Sequence, residues 1–236
     1  MKTPLLVLLA VDLCSAASTL LKGGTIIAFD EATDSLQVIR DGSLLITGDT
    51  ITRIFESGEE PPSNSTSRDD GDLEVLDVTG KIITPGFIDT HRHGWQTSFK
   101  TLASNVTLWT YLNRFSEFAS EGLFTADDVY VSQLTGLYEA LNAGVTTSLD
   151  HAHHTWSEET SAAGLSASID SGARVFWAYA FHFLANFTTA EQRANFRAIA
   201  AEGSFKGTRT SLGIACDYFG PVPVEEEVKA VVDLAL

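Results

Sequence analysis

Two histidines separated by one residue carry the strongest chemical signal in this chain of 236 residues. His91 and His93 close a short apolar run that is predicted to be a strand. Side chains alternate along a strand, so both imidazoles point the same way while Arg92 points away. Imidazoles at this spacing can reach one metal ion at Zn–N distances of about 2.0–2.1 Å. We therefore predict that His91 and His93 are metal ligands.

The other four histidines follow the next two predicted strands; they are His151, His153, His154 and His182. In a parallel α/β barrel the C-terminal ends of the strands hold the active site, so we expect all six histidines on one rim. His151 and His153 could replace missing metal ligands, but the pattern favours residues that line the pocket or support the ligands by hydrogen bonds. Asp150 could orient a histidine. His182 is expected to face the pocket, as is Tyr179; Asp217 is a further candidate.

Residues 19–84 are predicted to form a small β domain. Apolar or β-branched runs indicate strands at residues 25–29, 36–39, 43–46, 50–55 and 73–78. Asp41-Gly42, Gly48-Asp49 and Gly80 separate these runs as predicted turns. Residues 58–72 are rich in Pro, Ser and Asp, which is typical of a surface loop.

Strand and helix patterns alternate after Gly86. Strands are predicted at residues 87–90, 145–149, 175–180 and 211–215, and helices at 108–119, 125–144, 158–171, 188–201 and 224–236. Capping patterns at Thr125-x-x-Asp128 and Thr188-x-x-Glu191 begin two of the helices. This alternation favours a parallel sheet, and a complete eight-stranded barrel takes about 250 residues. Residues 85–236 are therefore predicted to be the N-terminal half of such a barrel, with about four βα units, and the chain is expected to be truncated.

The composition narrows the classes of partner. Lys plus Arg number 15 and Asp plus Glu number 31, so the formal net charge is −16 and neither nucleic acid nor an anionic membrane surface is an expected partner. The 44% hydrophobic content excludes disorder as the main state. Two cysteines exclude a disulfide-stapled scaffold and a cysteine-rich zinc module. The expected partner is a small-molecule substrate.

The first 18 residues have the order of a secretory signal. Lys2 precedes an apolar run at residues 5–11, and small residues follow at 15–18. Asn-x-Ser/Thr sequons at Asn64, Asn105 and Asn186 are typical of a secreted glycoprotein. Asp12 interrupts the apolar run, so the alternative is a first strand or helix of a cytoplasmic protein.

Two segments together resemble a known family. ITPGFIDTHRH, at residues 83–93, and GVTTSLDHAHH, at residues 144–154, are similar to motifs of the amidohydrolase superfamily, whose members are metal-dependent hydrolases built on a (β/α)8 barrel. The strand-rich first half resembles the composite β-sandwich domain of that superfamily. The branch that looks nearest contains the cytosine and guanine deaminases and the triazine chlorohydrolases. The resemblance covers residues 19–236.

The resemblance implies a hydrolase of non-peptide C–N bonds, which deaminates a heterocycle or hydrolyses a small amide with a metal-activated water. His91 and His93 would hold a divalent metal, zinc first and iron second. The remaining metal ligands and the catalytic acid–base residues would lie beyond residue 236. Gln96 matches a position that contacts substrate in this group, and Trp95 could form an aromatic wall of the pocket. Alternatively, Gln96 is a solvated loop residue without a substrate contact, and Trp95 packs beneath the loop.

A second hypothesis is a catalytically inactive fragment or a degenerate paralogue that keeps part of the metal site. Catalytic zinc usually has three protein ligands and a water, whereas two are identified here. A half-barrel also exposes two unpaired strand edges. A second copy could pair with those edges, which would make the protein a homo-oligomer.

Overall fold

The computed structural model describes residues 18–61, 73–216 and 225–235. The chain divides between Pro85 and Gly86 into two compact units. The predicted signal segment, Asn64 and Asp217 lie outside the described residues. Within the described ranges no helix has the length and apolar character needed to cross a membrane.

The first unit contains one five-stranded mixed sheet. Its strands are β1 (Ser18–Asp30), β2 (Ser35–Thr47), β3 (Thr50–Phe55), β4 (Leu73–Asp77) and β5 (Ile82–Ile83). β1 pairs antiparallel with β2 and parallel with β4 and β5, and β3 extends the sheet antiparallel to β2. Ile26, Ile39 and Leu44 form its buried core, because these apolar side chains leave water when β1 and β2 pair.

The Asp41-Gly42 pair is not the turn that its sequence predicts, since β2 runs straight through it. Asp41 has a positive φ of 50°, and the β1–β2 register shifts on both sides of the Gly24–Gly42 pair. A Cβ at Gly42 would lie 2.8 Å from Ile39 Cγ2. The two residues therefore form an irregularity inside a strand, where glycine allows close packing. The turn predicted at Gly48-Asp49 is confirmed between β2 and β3.

The second unit contains a four-stranded parallel sheet in the order β6-β7-β8-β9. These strands are β6 (Phe87–Arg92), β7 (Val145–Ala152), β8 (Arg174–Phe181) and β9 (Thr210–Cys216). A 3-10 helix spans Gly94–Phe99, and the α-helices are α1 (Leu108–Arg114), α2 (Glu117–Ser120), α3 (Ala126–Asn142), α4 (Glu158–Asp170), α5 (Thr189–Glu202) and α6 (Glu225–Val232). The predicted fold class, a partial (β/α)8 barrel preceded by a small β domain, is confirmed.

Local sequence signals determine where several helices begin. The predicted capping boxes of α3 and α5 are confirmed, with hydroxyl groups of Thr125 and Thr188 accepting backbone N–H donors three residues later. The predicted helix at residues 108–119 is interrupted instead. Ser116 caps a separate short helix, α2, with its hydroxyl accepting from the Ala119 N–H, so the apolar spacing continues across two helices.

The core of the second unit lies between its sheet and its helices. Four alternate side chains of β8 are fully buried in it: Val175, Trp177, Tyr179 and Phe181. They belong to one cluster with Leu165 of α4 and Phe196 of α5. Period-two burial of this kind packs one face of a strand against helices and fixes the position of the strand ends.

Candidate metal centre

Three histidine rings lie together at the C-terminal ends of β6 and β7. The ring centroid of His91 lies 4.8 Å from that of His93 and 5.4 Å from that of His151, and His93 and His151 are also 5.4 Å apart. β6 and β7 are parallel neighbours, so their C-terminal ends share one edge of the sheet. We call His91, His93 and His151 the histidine triangle.

The proton position on His93 follows from its partner. Nδ1 of His93 lies 2.9 Å from the backbone carbonyl oxygen of His151. A carbonyl only accepts, so Nδ1 carries the proton and the neutral ring has its lone pair on Nε2. A carbonyl on one ring nitrogen is the usual way to orient an imidazole that binds metal through the other.

The donor types of His91 and His93 fit a divalent metal such as zinc, because imidazole nitrogen is a common ligand of that ion. In the part of the chain that the structure describes, no group of three or more His, Cys, Asp or Glu side chains is spaced to hold a metal ion. The pair therefore suits a metal by chemistry, and the described residues do not complete its coordination. The assignment of His91 and His93 as ligands stays a prediction.

Asp150 is fully buried next to this strand end and accepts two hydrogen bonds. The Gly94 N–H donates to its Oδ1 at 2.9 Å, and Gln133 Nε2 donates to its Oδ2 at 2.6 Å. Burial raises the pKa of the Asp150 carboxyl to about 6, against the opposing effects of these two donors and of the Arg92 charge. Neither of these two donors belongs to an imidazole, so the expectation that Asp150 orients a histidine stays a prediction.

Arg92 points away from the triangle, as strand alternation predicts. Its guanidinium donates to Asp89 Oδ2 at 3.2 Å and to the Gly136 carbonyl of α3 at 2.7 Å. A Cβ at Gly136 would lie 2.3 Å from the Gly94 carbonyl oxygen, so glycine lets α3 approach the start of the 3-10 helix. The end of β6 is therefore held against both β7 and α3.

Trp95 is fully buried and supports a neighbouring histidine. Its Nε1–H donates to His153 Nδ1 at 2.9 Å, so the His153 proton lies on Nε2, which is 4.0 Å from Glu117 Oε2. The His153 ring stacks on His93 with centroids 3.9 Å apart. Burial and the neighbouring histidines hold the pKa of His153 well below its ordinary value. Trp95 is therefore packed inside the protein, as the alternative of packing beneath the loop predicted. A contact between Trp95 and substrate stays a prediction.

Glu117 is a residue of this site that sequence reasoning missed. It opens α2, a helix that no apolar spacing separated from α1. The only local signal is the Ser116 cap that precedes it, which marks a helix start and gives no indication of the histidine 36 residues away on another element.

Gln96 is committed to hydrogen bonds within the chain. Its Nε2 donates to the Tyr111 hydroxyl at 3.0 Å and to the Phe115 carbonyl at 2.9 Å, and its Oε1 accepts from Tyr111 at 3.1 Å. It lines a cavity of about 270 Å³ together with Phe99, Tyr111 and Phe115. Its contact with substrate stays a prediction.

His182 and His154 are both buried, in different surroundings. Thr155 gives its only hydroxyl proton to the Ala180 carbonyl at 2.7 Å, so His182 Nε2 donates to Thr155 Oγ1 at 3.1 Å. His154 packs against Gly164 of α4, and burial lowers its pKa to about 3. His154 follows the C-terminal end of β7 as expected, but its ring lies against α4, in the layer between sheet and helix.

Comparisons with known sequences point to one family. The model of the Amidohydrolase family matches residues 82–236. A 5'-deoxyadenosine deaminase of Methanobrevibacter smithii is 34% identical over 110 residues, which are 46% of this chain and 23% of that protein. A 5-methylthioadenosine/S-adenosylhomocysteine deaminase of Syntrophus aciditrophicus is 29% identical over 151 residues, 64% of this chain and 32% of that protein. The chain thus spans about a quarter to a third of these relatives.

Solved structures share the fold. Guanine deaminase from C. acetobutylicum, with guanine in its active site, has a TM-score of 0.72 at 16% identity, covering 92% of this chain and 50% of its own. A mutant atrazine chlorohydrolase from Arthrobacter aurescens, complexed with zinc and atraton, has a TM-score of 0.70 at 20% identity with the same coverage. Because the family model covers the whole of the second unit and both strand-end motifs, this chain belongs to the amidohydrolase family.

Proposed function

We propose that this chain carries the first part of the metal site of a hydrolase that deaminates a nitrogen heterocycle. The observation that carries the proposal is the histidine triangle at the C-terminal ends of two parallel strands, in which the His151 carbonyl accepts from His93 Nδ1. That edge of a barrel sheet is where enzymes of this architecture bind substrates. The sequence relatives are named as deaminases of adenosine derivatives, which supports a purine compound as the substrate.

Zinc is the metal we propose for His91 and His93. The zinc in the structure of the related chlorohydrolase supports this choice, and iron is the alternative because imidazole binds both ions. When bound, the metal would supply activation of a water molecule for attack on the carbon that bears the leaving nitrogen. Within this chain, the His151 carbonyl keeps the proton of His93 on Nδ1, so Nε2 is the nitrogen that would bind the metal.

Substrate contacts are proposed for residues around the triangle. His151 is half-buried at the rim, and Gln96, three residues after His93, lines a cavity, so these two are proposed to touch the substrate. Trp95 and His182 are buried, and we propose that they shape the pocket wall from behind.

Metal analysis and an ammonia assay test the proposal together. The purified chain is loaded with zinc, dialysed and analysed for bound metal, then incubated with 5'-deoxyadenosine, S-adenosylhomocysteine and guanine while ammonia release is followed. We expect retained metal in the wild type, its loss in His91→Ala, and its retention in the control Thr90→Ala, which truncates an exposed neighbour on the same strand. Equal metal in His91→Ala would contradict the ligand assignment.

The ammonia assay separates the proposal from its alternative. Release of ammonia that disappears in His91→Ala would support the hydrolase. A chain that retains metal and releases no ammonia from any purine would favour the inactive fragment or degenerate paralogue.

We also propose that the protein is exported and glycosylated. The order of residues 1–18 and the exposure of Asn105 and Asn186 support this proposal. The intact mass of the protein from its natural source, measured before and after enzymatic deglycosylation, tests it. We expect a mass that lacks residues 1–18 and a further decrease in mass on deglycosylation. A mass that includes residues 1–18 and does not change on deglycosylation would contradict export.

A further inference from the structure

Two consecutive residues of β7, Asp150 and His151, accept hydrogen bonds from the two residues that directly follow β6, His93 and Gly94. The Asp150 carboxylate accepts from the Gly94 N–H at 2.9 Å, and the His151 carbonyl accepts from His93 Nδ1 at 2.9 Å. Both the peptide that follows His93 and the His93 ring are therefore set by the end of β7. Arg92 and Asp150 are paired in the strand register, which brings the two elements together at this point.

We infer that Asp150 is a positioning residue for the metal site, which fixes the peptide after His93 and thereby the direction of the His93 ring. The inference rests on the proposed function, in which His91 and His93 bind the metal. Each carboxylate oxygen of Asp150 accepts an N–H donor of the protein, which favours support of a ligand over binding of the metal itself.

The Gly94 N–H needs this carboxylate. Gly94 is buried, and a buried backbone donor without an acceptor is unfavourable. If the carboxylate is removed, the peptide is expected to turn toward another acceptor, which changes the backbone dihedral ψ of His93 and loosens the segment that carries its ring. A metal site tolerates little displacement of a ligand, because its bonds have narrow ranges of length and angle.

The carboxylate is itself held from the other side. Gln133 of α3 donates from Nε2 to Asp150 Oδ2 at 2.6 Å and to Ser168 Oγ of α4 at 3.2 Å. Asp150 is thus fixed between two helices and the strand end. This arrangement indicates that Asp150 acts by hydrogen bonding, which holds the strand end in place, and not by its charge. Comparing Asp150→Ala with Asp150→Asn separates these two roles.

Metal affinity and the visible absorption spectrum of the cobalt-loaded protein test the inference. Asp150→Ala should weaken binding of Zn²⁺ and Co²⁺ by about 10-fold to 100-fold and change the Co²⁺ spectrum, since support of a ligand typically has an effect of that size. Asp150→Asn should bind within about threefold of the wild type, because its Oδ1 still accepts from the Gly94 N–H. Ser148→Ala, which truncates a buried residue two positions earlier on the same face of β7, should bind as the wild type does.

The outcomes are distinguishable. A wild-type chain that takes up neither metal would overturn the proposed function and this inference with it. Wild-type binding together with equal affinity and an identical spectrum in Asp150→Ala would overturn the inference alone. Asp150→Asn as weak as Asp150→Ala would also overturn it, because charge rather than hydrogen bonding would then be responsible.

Should Asp150→Ala fail to fold, Gln133→Ala carries the test. That change removes the donor to Oδ2 and leaves the Gly94 contact in place, so binding should weaken by about threefold to tenfold with a changed Co²⁺ spectrum. Equal affinity and an unchanged spectrum in a folded Gln133→Ala protein would overturn the inference.

Discussion

At the residue scale, hydrogen-bond partners assign the proton positions of three histidines in the site. His93 donates from Nδ1 to a carbonyl, His182 donates from Nε2 to a hydroxyl whose proton is already used, and His153 accepts at Nδ1 from an indole. Each assignment follows because the partner can play only one role. The rings are thereby oriented by neighbours on other elements before any ligand arrives.

The hydrogen bond from the Trp95 indole should stabilise the protein in addition to the aromatic packing of the ring. Trp95→Phe leaves His153 Nδ1 buried without its donor, whereas Trp156→Phe in the same aromatic cluster removes an Nε1 that has no partner among the described residues. Trp95→Phe should therefore lower the free energy of unfolding by about 1–3 kcal/mol more than Trp156→Phe does. Urea denaturation of both variants measures the difference, and equal losses would show that packing alone decides.

At the element scale, close contacts between helices and strand-end segments set the shape of the site. α4 approaches the segment after β7 at Gly164, where a Cβ would lie 1.8 Å from His154 Nε2. α3 approaches the 3-10 helix at Gly136 in the same way. Glycines inside helices usually weaken them, so their presence at these two positions reflects the space that the neighbouring element needs.

Gly164→Ala should reverse the usual effect of such a change. In a free helix interior, alanine is favoured over glycine by about 1 kcal/mol. Here the added methyl group overlaps a buried ring, so we expect a net loss of about 1–3 kcal/mol in the free energy of unfolding, measured by urea denaturation. The exposed Ser166→Ala in the same helix is the control and should leave stability unchanged or slightly raised. A gain in Gly164→Ala would show that the ring moves aside freely.

At the scale of the whole molecule, the formal net charge of −16 is a source of self-repulsion. Ion pairs such as Lys100–Glu139, at 2.6 Å, lie on exposed side chains and contribute little. Repulsion among the excess carboxylates should therefore outweigh the attraction in the few exposed pairs.

Salt should stabilise the protein for this reason. Raising NaCl from about 0.01 M to about 0.15 M shortens the Debye length from about 30 Å to about 8 Å and screens the repulsion. We expect Tm in a thermal scan to rise over this range, with the same rise in KCl as a control for specific ion binding. A fall in Tm would indicate that attractive pairs dominate the electrostatic free energy.

Sequence reasoning succeeded where the signal is local. The alternation of strands and helices, the caps at Thr125 and Thr188, and the turn at Gly48-Asp49 depend on a few neighbouring residues, and the structure confirms them. It failed at Asp41-Gly42 and at the break before Ser116. In both places a tertiary contact or a single cap outweighed the propensity of the segment.

The sequence by itself determined that His91 and His93 share one side of a strand end, because side-chain alternation is a property of the backbone. It also carries two segments whose resemblance to amidohydrolase motifs indicated the family. Only the tertiary structure decided which groups meet them. Gly94 and Asp150 are 56 residues apart in the chain, and Trp95 and His153 are 58 apart. Such contacts depend on the register of β6 against β7 and on how closely α3 and α4 approach, and no local pattern specifies either quantity.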